Sequence, residues 1–254
     1  MKMKKVIFAA LVSTVCLISG CMRVEARYDM KKGSDMSYTA PESSDAYSAP
    51  TSENSTDSSV LPTDEPEKTD RIVWVGDSRI IQLGNKVYGI ELVDNDLANE
   101  ETSDGDCILG AVGEGYDWLA EHTAEIEDKL TDGCALVVNM GVNGIPDYHS
   151  EIAEWCNEIA EKYKDRGVKV YFMSINPVND KLMKYNNYII RDVDVVCFNS
   201  VIRTELKGVT YLDTYSEVRD DIIGEGSGTY DGLHYNESVY RKIKDYTCKI
   251  VKKE

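Results

Sequence analysis

Arg71-Ile-Val-Trp-Val-Gly76-Asp77-Ser78-Arg79 is the stretch that decides the fold. Its first half is a short apolar run, rich in β-branched residues and closed by glycine, the pattern of a strand buried on both faces. Its second half puts a serine into the tight turn between that strand and a following helix. Working outward, Cys107-Ile-Leu-Gly110, Cys134-Ala-Leu-Val-Val-Asn-Met-Gly141, Val168-Lys-Val-Tyr-Phe-Met-Ser-Ile175 and Val209-Thr-Tyr-Leu-Asp213 repeat the strand pattern, the first of them most weakly. Between them apolar residues return at helical spacing over 116–130, 152–163, 192–206 and 237–251; Trp118, Leu119, His122, Ile126 and Leu130, for example, share one face. Strands alternating with helices predict an α/β fold whose mostly parallel sheet of about five strands is covered on both sides. Ligands in such sheets lie at the C-terminal ends of the strands.

The chain has 254 residues and a formal net charge of −17, with 42% hydrophobic and 29% charged residues. An acidic surface cannot neutralise phosphates, which argues against nucleic acid as a partner. Lys2, Lys4 and Lys5 precede the apolar run Val6 to Ile18, which is short for a membrane span but suited to a secretory signal. That run ends Leu17-Ile18-Ser19-Gly20-Cys21, which resembles the lipobox of bacterial lipoproteins. The resemblance implies a signal peptide over 1–20 and export. It also implies lipidation of Cys21, anchoring the chain at the outer face of the cell membrane; the alternative is an ordinary signal with an incidental cysteine. Removing 1–20 deletes three lysines and no acid, which takes the net charge to −20. Residues 21–70 are rich in Ser, Thr, Pro and acids and show no apolar period, as expected of a disordered spacer. Residues 71–254 then form one domain.

Polar residues of unusual kind fall at the predicted strand ends. Ser78 sits where its Oγ is exposed and its N–H lies at a helix start, which suits a nucleophile whose attack builds an oxyanion, and equally suits a helix cap. Asn143 in Gly141-Val-Asn-Gly144 can aim a side-chain N–H into the same crevice, or serve as a turn residue. Gly115, with Gly113 as the alternative, can bring a backbone N–H to a ligand, or mark a plain turn. In Asp231-Gly-Leu-His234, a carboxylate three residues before a histidine can orient the imidazole as a general base. His122 and His149 lack such a partner in the sequence. No His/Cys/Asp spacing repeats a metal-ligand pattern, so no metal or other cofactor is expected. Gly224, Gly226 and Gly228 read as a mobile loop delivering Asp231 and His234.

These four pieces, in this order, resemble the SGNH hydrolases, the GDSL-type esterase/lipase family. Ser78 falls in the Gly-Asp-Ser block, Gly115 in the looser second block, Asn143 in Gly-x-Asn, and Asp231 and His234 in Asp-x-x-His. Arg79 replaces the leucine that usually follows Gly-Asp-Ser, and Gly144 replaces the aspartate that often follows Gly-x-Asn. The resemblance spans the chain from Arg71 onward. It implies a flavodoxin-like three-layer α/β/α sandwich and ester hydrolysis, with Ser78, His234 and Asp231 as the triad and Ser78, Gly115 and Asn143 as the oxyanion hole. Arg79 is expected either to shape specificity or to be an exposed helix-start residue.

Three functions remain open on the sequence. The first is an esterase removing acyl groups, acetyl foremost, from a small ester or an acetylated glycan. The second is a lipase, thioesterase or O-acyltransferase using the same serine, and the third a non-catalytic carbohydrate-binding module. Tyr230 and Tyr235 flank the Asp-x-x-His block, where a tyrosine can stack on a sugar or simply pack. Among the five cysteines after Cys21, Cys134 and Cys197 read as small buried hydrophobes; five is odd, so at least one is free, and no pairing can be chosen.

Overall fold

The computed structural model describes residues 69–91, 97–183, 190–223 and 228–252, all within one compact unit, Leu61–Glu254. The signal, the lipobox with Cys21, the spacer up to residue 68, and Gly224 and Gly226 lie outside the described residues.

Six strands form one sheet: β1 (Ile72–Gly76), β2 (Leu97–Glu101), β3 (Cys107–Ala111), β4 (Ala135–Asn139), β5 (Lys169–Met173) and β6 (Val209–Leu212), in the order β2-β3-β1-β4-β5-β6. All neighbours are parallel except β2, which runs antiparallel to β3 at the edge. Without β2, the order is the 2-1-3-4-5 of flavodoxin-like sheets. The edge strand is an addition to the expected five. Its sequence Leu-Ala-Asn-Glu-Glu has no strand pattern, and pairing with β3, helped by a two-pronged Arg71–Glu101 ion pair at 2.8 and 2.9 Å, supplies what local preference lacks.

Side chains alternate along each strand and so feed two cores. Val73, Val75, Leu109, Leu136 and Val138 face α2 (Tyr116–Glu121), α3 (Thr123–Lys129), α4 (His149–Tyr163) and α5 (Asp192–Glu205). Ile72, Trp74, Ile108, Ala135 and Val137 face α1 (Ser78–Tyr88), α6 (Thr214–Ile222) and α7 (Glu237–Val251). The three layers expected from the sequence are therefore present. β3, the weakest strand signal, is buried at all five positions, because it lies inside the sheet between β1 and β2.

The single helix expected over 116–130 is two. His122 separates α2 from α3, its ring stacked on Trp118 at 4.4 Å and its Nδ1 2.9 Å from the Trp118 carbonyl. Thr123 Oγ1 donates back to the Leu119 and Ala120 carbonyls and accepts from Trp155 Nε1 at 2.8 Å, so side-chain bonds compete with the helical ladder at this break. Helix α6 was not expected; its signal was the cap Asp213, whose carboxylate accepts the Ser216 N–H at 3.1 Å. Cys197 is exposed, against expectation, because it falls on the outer face of α5; Cys107, Cys134 and Cys156 are buried, and all five domain cysteines are free.

Candidate active site

The site grows from the end of β1. A Cβ on Gly76 would lie 2.3 Å from the Asn139 carbonyl and 2.4 Å from Ile80, so only glycine lets β1, β4 and α1 approach this closely. Asp77 caps α1 by accepting the Arg79 N–H at 3.0 Å. Ser78 is then the first residue of the helix, where its N–H has no partner within the helix. Asp77 is fully buried; burial pushes its carboxyl up, and the Arg79 charge opposes that rise.

The loop between α6 and α7 brings the other half of the relay from 156 residues away. His234 Nδ1 lies 2.8 Å from Asp231 Oδ2 and Nε2 lies 2.9 Å from Ser78 Oγ. With Nδ1–H donating to the carboxylate, Nε2 is the atom that accepts from the serine hydroxyl. The other carboxylate oxygen, Asp231 Oδ1, accepts the N–H groups of Leu233 and His234 at 2.8 and 2.7 Å, so the carboxylate is fixed by its own loop. The loop is held in turn by Thr229 Oγ1, which donates to the His234 carbonyl and accepts the Gly232 N–H. Gly232 has φ 90°, and a Cβ there would meet the Asn179 carbonyl and the Met183 N at 2.7 Å.

Asn143 follows β4, the parallel neighbour of β1, and its Nδ2 donates to the Glu114 carbonyl at 2.7 Å. That bond joins the loop after β4 to the loop after β3. The carbonyl and N–H of a trans peptide point in opposite directions, so the Gly115 N–H is turned away from Asn143. Gly115 caps α2, and Gly113 is exposed with φ 80°. Tyr148 takes the left-handed φ of 65°, packs over Gly144, and stacks on Tyr116 at 5.9 Å.

His149 lies 3.2 Å from Glu205, and His122 packs on Trp118, so neither joins Ser78. Tyr230 is 50% exposed with its ring parallel to that of His234 at 6.1 Å, whereas Tyr235 is 0% exposed and so has no face to offer a sugar. Arg79, expected at the surface or in the specificity site, is 2% exposed. Its burial was not legible locally, because the residue covering it, Tyr235, is 156 positions away in the chain.

No protein-family model matches the chain, and no curated protein sequence matches it. Solved structures do. A GDSL-like lipase from Bacteroides thetaiotaomicron VPI-5482 superposes with a TM-score of 0.52 at 15% identity, covering 72% of this chain and 87% of its own. A protein proposed to be an acylhydrolase from Bacteroides fragilis NCTC 9343 gives 0.53 at 16% identity over 74% and 90%. A protein proposed to be a platelet activating factor from Streptococcus pneumonia gives 0.51 at 17% over 76% and 86%. At these identities what is shared is the fold.

Proposed function

We propose that the protein is a serine esterase of SGNH type that removes acyl groups, acetyl foremost, from carbohydrate, and that it works at the cell surface, anchored through Cys21. The observation that carries the reading is the continuous relay from Ser78 Oγ through His234 to Asp231, with both links under 3 Å. In this mechanism His234 Nε2 takes the serine proton as Oγ attacks the ester carbonyl carbon. Asp231 keeps the imidazole in the right tautomer and stabilises it once protonated. The Ser78 N–H and the second hydrogen of Asn143 Nδ2 stabilise the oxyanion, and the Gly115 N–H joins them only when the Glu114–Gly115 peptide turns over. Collapse of the tetrahedral intermediate expels the alcohol, which takes its proton from His234. Water, deprotonated by His234, then attacks the acyl-Ser78 carbonyl, and the acid leaves as His234 returns that proton to Ser78 Oγ.

Two exposed tyrosines favour a sugar as the alcohol part. Tyr230 beside His234 and Tyr148 after β4 both lie at the C-terminal end of the sheet, with 50% and 41% of their surfaces open. Flat aromatic faces of this kind suit the C–H face of a pyranose better than a long acyl chain. The names carried by the structural neighbours, a lipase and a proposed acylhydrolase, are consistent with ester chemistry on this fold.

The test is hydrolysis of p-nitrophenyl acetate, a chain-length series of acyl esters and acetylated xylo-oligosaccharides by the wild type and by Ser78→Ala. The substitution is expected to abolish release while the melting temperature is retained. Equal turnover in the two proteins would remove the assignment.

A further inference from the structure

Arg79 is a buried charge that the relay itself does not use. Only 2% of it is exposed, and Nη1 donates to the Asn176 carbonyl at 2.9 Å, just beyond the end of β5. Its Nε and Nη2 are buried without a protein partner. The guanidinium carbon lies 5.3 Å from the centroid of the Tyr235 ring. Tyr235 is itself fully buried, and its hydroxyl donates to the Pro177 carbonyl at 2.7 Å. A leucine or methionine would fill this space without the cost of a desolvated cation with leftover N–H groups. What an apolar side chain could not supply is a planar positive group that at once stacks on an aromatic face and holds a carbonyl.

The position of these contacts gives them a purpose. Arg79 directly follows Ser78, and Tyr235 directly follows His234. The guanidinium–ring contact therefore joins the same two segments as the Oγ–Nε2 bond, one residue further along on each. Both partners also reach the same exit of β5, Arg79 through Asn176 and Tyr235 through Pro177. Helix α1, the β5 exit and the loop carrying Asp231 and His234 are thereby tied at one point. The buried Asp77 carboxyl lies two residues away on the α1 side, where the Arg79 charge opposes the rise that burial causes in it.

We infer that Arg79 is a positioning residue: through Tyr235 and Asn176 it fixes the distance and angle between His234 and Ser78. The catalytic meaning of this rests on the esterase reading, but the tie itself does not. A misplacement of about 1 Å at a reacting pair costs on the order of 10²-fold in rate. Arg79→Met is accordingly expected to lower kcat on p-nitrophenyl acetate by roughly 10²-fold with KM nearly unchanged. Arg79→Lys, which keeps a cation over the ring and a donor for Asn176, recovers part of that loss. Tyr235→Leu, which removes the other half of the contact, reproduces it and decides the matter if Arg79→Met does not fold.

Hydrogen exchange of the 229–236 amides, measured by mass spectrometry, reads the tie without any turnover. Exchange is expected to rise in Arg79→Met and Tyr235→Leu, and to fall back in Arg79→Lys, with α7 unaffected. A kcat within about threefold of wild type, or unchanged exchange in 229–236, would overturn the inference and leave Arg79 as core filler. If the wild type cleaves no ester while exchange responds as expected, the esterase reading fails and the tie stands.

Discussion

At the scale of single residues, the site combines donors and acceptors held in pairs, as in the Ser78–His234–Asp231 relay, with buried polar atoms of Asp77 and Arg79 that have no hydrogen-bond partner among the described residues. Asn143 has one Nδ2 hydrogen engaged by the Glu114 carbonyl, and in the proposed mechanism the other serves the developing oxyanion. Asn143→Ala is expected to lower kcat by about 10²–10³-fold, the usual loss for one such donor, with KM little changed; steady-state kinetics on p-nitrophenyl acetate checks it. Asp77 is the residue whose protonation couples to folding. Burial raises its carboxyl above the ordinary value of 3.8, so the folded protein holds this proton more tightly than the unfolded chain does. Its contribution to stability is fully present below the unfolded pKa and is lost as pH rises through the folded one. Asp77→Asn keeps a good helix cap and removes this titration. Its melting temperature relative to wild type should therefore rise from pH 4 upward; a difference that is flat with pH would contradict the coupling.

At the scale of elements, two connections set the geometry, the tight β1–α1 turn and the longer α6–α7 loop. The β1–α1 turn needs Gly76 for close packing and Asp77 for the cap, and these place the Ser78 N–H at the helix start. The α6–α7 loop needs Gly232, because its φ of 90° and the atoms at 2.7 Å leave no room for a side chain. Gly232→Ala is expected to destabilise the protein by roughly 1–3 kcal/mol. It should also lower kcat, since Asp231 and His234 flank the strained position; thermal melts and kinetics together check both effects. The interrupted helix over 116–130 shows the same dependence on neighbours, since the hydroxyl that competes with its ladder is itself held by Trp155 from α4.

At the scale of the whole molecule, the strand order places the site. The chain leaves β1 for β3 on one side and returns to β4 on the other, so the ends of β1 and β4 frame the switch point at which such sheets bind ligands. Ser78 and Asn143 follow those two strands. The opposite end of the sheet holds the tie between the termini of the domain. There Thr69 pairs with Lys252, and Lys252 Nζ reaches the fully buried Asp106 at 2.8 Å. The chain thus enters the domain at the end remote from Ser78. Cys21→Ser is expected to shift the protein from the membrane fraction to the medium with kcat unchanged, as fractionation and assay of both pools would show.

The sequence by itself determined the alternation of strands and helices, the ends of α5 and α7 to within a residue, and the residue types at the strand ends. Burial along one segment is written in the spacing of that segment's own apolar residues. Ser78, Asn143, Asp231 and His234 were each ambiguous within their own stretch, and stood out only through the resemblance of four short motifs in order. Only the tertiary structure decided that His234, and not His122 or His149, reaches Ser78. It alone added β2 at the edge, turned the Asn143 amide onto Glu114, exposed Cys197, and buried Arg79 under Tyr235. Each of these depends on which distant segment lies alongside, and that is fixed by strand order and side-chain packing, which no single stretch of the chain encodes.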